Sequence, residues 1–212
     1  MAEPIERMIV VSGEATVRRV PDLAVVSLTV LVQDRQTAPA RDKANQRATA
    51  ILARLHVLGI PEADVQAPSL TVQPTYDYGR GAPKVTGYQA ARPMTIRVRD
   101  IDLLGPILDG LVDDGATQVH GTSMELADPE AASREALAAA VGVARSRAEA
   151  LAAAAGLTLG PPRRIEEDSN GSPSPFRGAM PMFQAAAEAA PTEIAAGEIE
   201  ISARLRAWFD LE

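Results

Sequence analysis

The chain has 212 residues, 46% of them hydrophobic and 23% charged, which is enough to bury a sizeable core without staples. A net charge of −7 argues against a phosphate-backbone binder and against a polybasic membrane anchor, so no nucleic-acid partner is expected. The absence of cysteine removes disulfides, thiolate nucleophiles and thiolate metal sites, and no apolar run approaches the ~20 residues of a transmembrane segment.

Aromatic residues make up only 3%, so Ala, Val, Leu and Ile must fill the core, and such a core depends on close backbone approach. Met1 to Arg7 carry two acids and no apolar h-region. As it stands, that start predicts a cytoplasmic chain with no signal peptide; a trimmed chain would instead be periplasmic or envelope-bound.

Ile9, Val11, Gly13, Ala15 and Val17 alternate with Val10, Ser12, Glu14, Thr16 and Arg18, the period of a half-buried strand. A second strand follows with Ala24, Val26, Leu28, Val30 and Val32 inward. The turn around Pro21-Asp22 predicts that the two form an antiparallel hairpin. Thr37 is placed to cap a helix with Pro39 in its first turn. The stripe Ala44, Ala48, Ile51, Leu55 and Leu58 carries this helix to Gly59 and Pro61.

Val65 to Tyr78 reads as a strand, Gly79 to Pro83 as a turn, and Val85 to Arg99 as the returning strand. Tyr88, Ala90, Met94, Ile96 and Val98 share one face of it, and Pro93 implies a bulge or an edge. Asp100 caps a short helix carrying Ile101, Leu104, Leu108 and Leu111, and a strand over Thr117 to Leu126 follows.

Asp128-Pro129-Glu130 opens a long helix running to Ala155, about 40 Å. Its expected stripe is Leu137, Val141, Ala144, Ala148, Leu151 and Ala155, whose small members allow a close neighbour. A short strand at Ile165 to Asp168 precedes a Ser/Pro/Gly-rich and then Ala-rich stretch, Ser169 to Pro191, of a length that is usually functional or mobile. The last strand sets Ile199, Ile201, Ala203, Leu205, Ala207 and Phe209 against Glu198, Glu200, Ser202, Arg204 and Arg206. The order ββ-α-ββ-α-β-α-β-β predicts an α+β fold with long, largely antiparallel strands packed on helices. The expectation is one domain over 1–212 with a long loop at 169–191.

Several segments, in order, resemble the SIMPL-domain (YggE-like) family. They are the opening Val-Ser-Gly-Glu-Ala strand with Pro21-Asp22-Leu23-Ala24, Asn45, Leu70 with Pro74-Thr75-Tyr76, and Gly87-Tyr88-Gln89-Ala90. Leu108-Asp109 with Gly115-Ala116, Arg134-Glu135-Ala136, Gly156-Leu157 with Leu159-Gly160, and the Ile199-to-Phe209 strand complete the set. The resemblance implies a bacterial, self-assembling homo-oligomer of uncharacterised function linked to oxidative or envelope stress, often exported. A mammalian relative implies a further reading as a signalling adaptor. It implies no catalytic, cofactor or metal residues.

The residues agree with that empty inventory. His56 and His120 have no metal-ligand spacing, and Asp113-Asp114 and Glu166-Glu167-Asp168 lack a calcium-loop pattern. No phosphate loop or nucleophile elbow occurs.

What remains are candidate interaction residues: Tyr76 and Tyr78 at a hairpin tip, and Phe176, Met180, Met182 and Phe183 in the 169–191 stretch. The expected function is non-enzymatic self-assembly with a structural or interaction role. The alternative is a small-ligand binder or enzyme, with 169–191 as a lid and Tyr76, Tyr88, His120 or Glu125 lining a pocket.

Overall fold

Period-two alternation gives each strand one apolar face, and that face decides which helix it receives. The computed structural model describes residues 7–79, 82–113, 116, 118–168 and 197–212. In chain order these form β1 (Met8–Arg19), β2 (Leu23–Asp34), α1 (Thr37–Val57), β3 (Val65–Gln66), β4 (Thr71–Asp77) and β5 (Lys84–Val98). Then come α2 (Leu104–Asp113), β6 (Gln118–Glu125), α3 (Pro129–Ala154), β7 (Leu159–Glu167) and β8 (Ile199–Leu211). The fold is α+β with antiparallel sheets, in the predicted order. The strand expected over Val65 to Tyr78 is split into β3 and β4.

The chain divides into two compact units: β1, α3, β7 and β8 make one, and β2 through β6 with α1 and α2 make the other. The first contains the sheet β1-β8-β7. β1 and β8 pair from Met8 opposite Asp210 to Arg19 opposite Ile199. One face of these two strands holds buried Val11, Val17, Ile201, Leu205 and Phe209.

α3 packs on β1 and β8. Asp128 caps it by accepting from the Ala131 N–H at 2.9 Å, with Pro129 at the first helical position, as the sequence signals. Gly156 ends it with φ +72°, a left-handed conformation that suits glycine. The buried stripe differs from the expected one: it is Ala132, Ala136, Ala140, Ala144, Ala148 and Ala152. Val141 and Leu151 are 37% and 53% exposed. The reason is distance: a Cβ added at Gly13 on β1 would lie 2.1 Å from the Ala140 carbonyl oxygen and 2.9 Å from the Ala144 Cβ. Only alanine on the helix and glycine on the strand allow that approach.

The second unit contains the sheet β3-β5-β2-β6, with β4 also paired to β5. β2 pairs with β5 from Ala24 opposite Val98 to Asp34 opposite Tyr88, and with β6 on its other edge. β1 and β2 therefore lie in different sheets, and the hairpin expected between them does not form. β8 is the better partner for β1: it has matching length and places Arg204 opposite Glu14 and Glu200 opposite Arg18.

α1 brings Ala40, Ala44, Ala48, Ile51 and Leu55 onto the inner face of β2 and β5, joined by Leu104, Ile107 and Leu111 from α2. The cap of α1 is Gln36 rather than Thr37, and the Asp34 carboxylate accepts from the Gln36 N–H at 3.2 Å. Asp100 accepts from the Asp102 N–H, capping a 3-10 turn ahead of α2. Pro93 sits opposite Thr29, and the ladder on the other side of β5 skips from Ala91 to Thr95, so that edge is locally open as the proline requires.

Candidate interaction site

β5 is longer than β2, and the excess builds a projection. The last β2–β5 pair is Asp34 with Tyr88, whereas β4 and β5 stay paired out to Asp77 opposite Lys84. Residues 75–77 and 84–87 thus form a two-stranded ribbon beyond the end of β2. The Thr86 hydroxyl donates to the Thr75 carbonyl at 3.1 Å across it, and the Asp77 carboxylate accepts from the Gly79 N–H at 3.0 Å.

Tyr76 and Tyr78 stand on this ribbon with ring centroids 6.2 Å apart at 49°. They remain 45% and 76% exposed, with Val85 opposite Tyr76 also exposed. The rings touch each other and still present most of their area to solvent, which suits a contact surface.

The other end of this unit carries a groove of about 300 Å³ beside the end of α1. Leu52, Ile60, Val65 and Ala67 line it together with the exposed His56 and Glu62. Next to it lies Asp64, the only buried charged residue among those described. Arg99 closes a two-pronged pair on it, Nε to Oδ2 and Nη2 to Oδ1, each at 3.0 Å. Hydrogen bonding from Arg99 holds the Asp64 carboxyl below its ordinary range against the opposing cost of burial, and the same bond raises Arg99. This clamp fixes the segment that forms one wall of the groove.

The residues proposed for a ligand pocket are not brought together. Tyr88 packs against the core at the Asp34 end of β2, whereas Glu125 pairs with Leu23 at the opposite end. His120 sits at a register shift in β6, with Nε2 2.8 Å from the Thr29 hydroxyl. Tyr76 is out on the ribbon. No cluster of three or more His, Asp or Glu side chains suited to a metal occurs among the described residues. Phe176, Met180, Met182 and Phe183, with the rest of 169–191, lie outside the described residues.

The polar face of β1 and β8 is a ladder of compensated pairs. Arg204 donates to Glu14 at 2.8 Å, Arg18 to Glu200 at 2.7 Å, and the Thr16 and Ser202 hydroxyls meet at 2.8 Å. Sequence reasoning anticipated this polar face, though not its pairing.

It missed Arg92. This side chain shares the inward face of β5 with Ala90 and Met94 and donates from Nη1 to the Asn45 side-chain oxygen at 2.8 Å. Its Nε is buried without a partner. Position parity alone could have flagged an arginine in that apolar row. The groove left no comparable signal, although its lining comes from one stretch, Leu52 to Ala67, because neither the end of α1 nor the turn into β3 shows in its pattern which sides face each other.

A fold of this kind, antiparallel sheets packed on helices with a ribbon projecting from one of them, defines an α+β protein. The chain belongs to the SIMPL family, described as a protein of unknown function (DUF541), whose profile matches residues 9–209. It is 33% identical over 169 residues to the uncharacterized protein YggE of Escherichia coli (strain K12), covering 79% of this chain and 69% of that protein. It is 32% identical over 212 residues to the 26 kDa periplasmic immunogenic protein of Brucella melitensis biotype 1, covering 96% of this chain and 84% of that one.

The second likeness corrects the cytoplasmic expectation, since a relative matched along nearly the whole chain is named as periplasmic. Residues ahead of a first strand report local structure only; export is decided by a leader that the folded domain does not need. No helix among the described residues is long and apolar enough to cross a membrane.

Proposed function

We propose that this chain is a non-enzymatic, self-assembling SIMPL protein that acts through its surface, in a structural or interaction role in envelope or oxidative stress protection. The observation that carries the reading is the outer edge of β1. It runs for 12 residues, contains no proline, and has no strand paired to it among the described residues. Such an edge is a template for pairing with another chain unless it is guarded. β7, the other terminal strand of that sheet, is guarded by Pro161, Pro162, Arg163 and Arg164. The contrast points to β1 as the edge kept available. Periplasmic placement rests on the naming of the Brucella relative. The family match across both units supports treating them as one domain in function.

The test is the native mass of the purified chain at micromolar concentration. Assemblies well above 22.3 kDa support the reading, and a clean monomer overturns it. The ligand-binding alternative draws no support from Tyr88, His120 and Glu125, which face separate places.

A further inference from the structure

The tyrosine ribbon and the groove lie at opposite ends of one sheet. The ribbon leaves β2 beyond the Asp34–Tyr88 pair, and the groove wall at Val65 lies opposite Ile96, close to the Ala24–Val98 pair. Ten residue steps of β2 separate those pairs, about 33 Å. Both features are carried by β5, so the ribbon of a chain cannot fold back into its own groove.

We propose that they meet between copies: Tyr76 and Tyr78 of one chain seat in the groove formed by Leu52, Ile60, Val65 and Ala67 of the next, head to tail. The inference rests on the self-assembly reading and names its contact. Three observations support it.

The groove, at about 300 Å³, is at the small end of ligand pockets and suits aromatic side chains better than a large cofactor. Five of its seven lining side chains are apolar, and the other two, His56 and Glu62, can accept the phenolic O–H that a burying tyrosine must satisfy. Finally, the ribbon spends two of the chain's three tyrosines on a solvent-exposed tip, in a protein with only 3% aromatics.

Magnitudes set the role of the contact. With 45% and 76% of their surface free, the two tyrosines can bury about 250 Å² between them, roughly a third of what a stable interface needs from each partner. The tip is therefore an anchor that works alongside a larger surface such as the β1 edge. Because knob and hole are different patches, the contact is heterologous and generates a ring or an open filament according to its rotation.

The absence of cysteine makes a direct test available. The full chain is prepared as Tyr78→Cys, as Glu62→Cys and as the double variant, and each is oxidised mildly after circular dichroism confirms folding. A mixture of the two single variants, one of them isotope-labelled, should give mainly the mixed covalent dimer, and the double variant a ladder of multimers. Truncating the knob with Tyr76→Ser/Tyr78→Ser should weaken association by about thirty-fold or more.

If the wild type assembles but no ladder appears and the truncated knob keeps the wild-type mass, the docking is wrong while self-assembly stands. Preferential linking of Tyr78→Cys to its own kind would also overturn it, in favour of a tip-to-tip contact. A monomeric wild type sinks both.

Discussion

The two units cover their sheets by different means. In the β2–β6 unit, α1 and α2 fill space with Ile51, Leu55, Leu104, Ile107 and Leu111 against Leu28, Met94 and Ile96. In the β1–β8 unit, α3 offers six alanines at a strict spacing of four and comes close enough to β1 to forbid a Cβ at Gly13. The first core rests chiefly on large apolar side chains removed from water; the second adds to Val11, Val17, Leu205 and Phe209 a seam where helix and strand backbones come into direct dispersion contact. Size and burial therefore part company: the larger side chains Val141 and Leu151 of α3 are exposed while the six alanines of its seam are buried. The two should fail in reverse ways: the first chiefly through deleted side-chain volume, the second through volume added at its seam.

The largest effects test that reversal directly. Ile51 is fully buried, so Ile51→Ala should cost about 3–4 kcal/mol through lost transfer energy and the residual cavity. Gly13→Ala adds a single methyl, yet should cost about 2–3 kcal/mol, because its Cβ must displace the Ala140 carbonyl and thus α3 itself. Urea unfolding at one fixed protein concentration compares the two. A Gly13→Ala chain as stable as the wild type would show that α3 lifts freely, and the contrast between the units would collapse.

A smaller effect sharpens the comparison by placing a charge in the volume-filled unit. Arg99 lowers the Asp64 carboxyl pKa in the folded state, so folding favours the ionised form. A depressed folded value contributes stability that is fully present above the unfolded carboxylate pKa of about 3.9 and is lost as pH falls through the folded value. Asp64→Asn should therefore cost about 1–2 kcal/mol at pH 7, a figure discounted because Arg99 is largely exposed, and the cost should vanish well below pH 4. Chemical denaturation of both chains at pH 7 and pH 2.5 reads this out, and a cost independent of pH would mean that packing, not the charge pair, is what Asp64 supplies.

How much of this was legible follows from what each signal measures. Alternation in β1, β2 and β8 reports one-sided burial, so the strands and their inward faces could be read directly. Pairing is a long-range choice, and adjacency across Pro21 suggested a hairpin where β8, nearly two hundred residues on, is the true partner of β1. The α3 register was misjudged because large apolar residues were given priority, although Ala132 to Ala152 repeat every four residues in plain sight. The tyrosine tip was legible because aromatics are scarce here. The groove was not, since Leu52, Ile60 and Val65 come together only once the chain after α1 turns so that β3 pairs with β5.

The smallest effect isolates the close-contact helix from its seam. Gly142 lies in the middle of α3, on the exposed side, and a Cβ added there meets nothing within 4 Å. Alanine at that position gains helix propensity without touching the sheet, so Gly142→Ala should stabilise the protein by about 0.5–1 kcal/mol. The same chemical change at Gly13, one layer away, carries the opposite sign because there the added methyl meets backbone. Thermal melts of the two variants beside the wild type should bracket it from either side. If Gly142→Ala were destabilising instead, the outer face of α3 would have to be covered in the native particle, and the exposed Val141 and Leu151 would belong to an assembly surface.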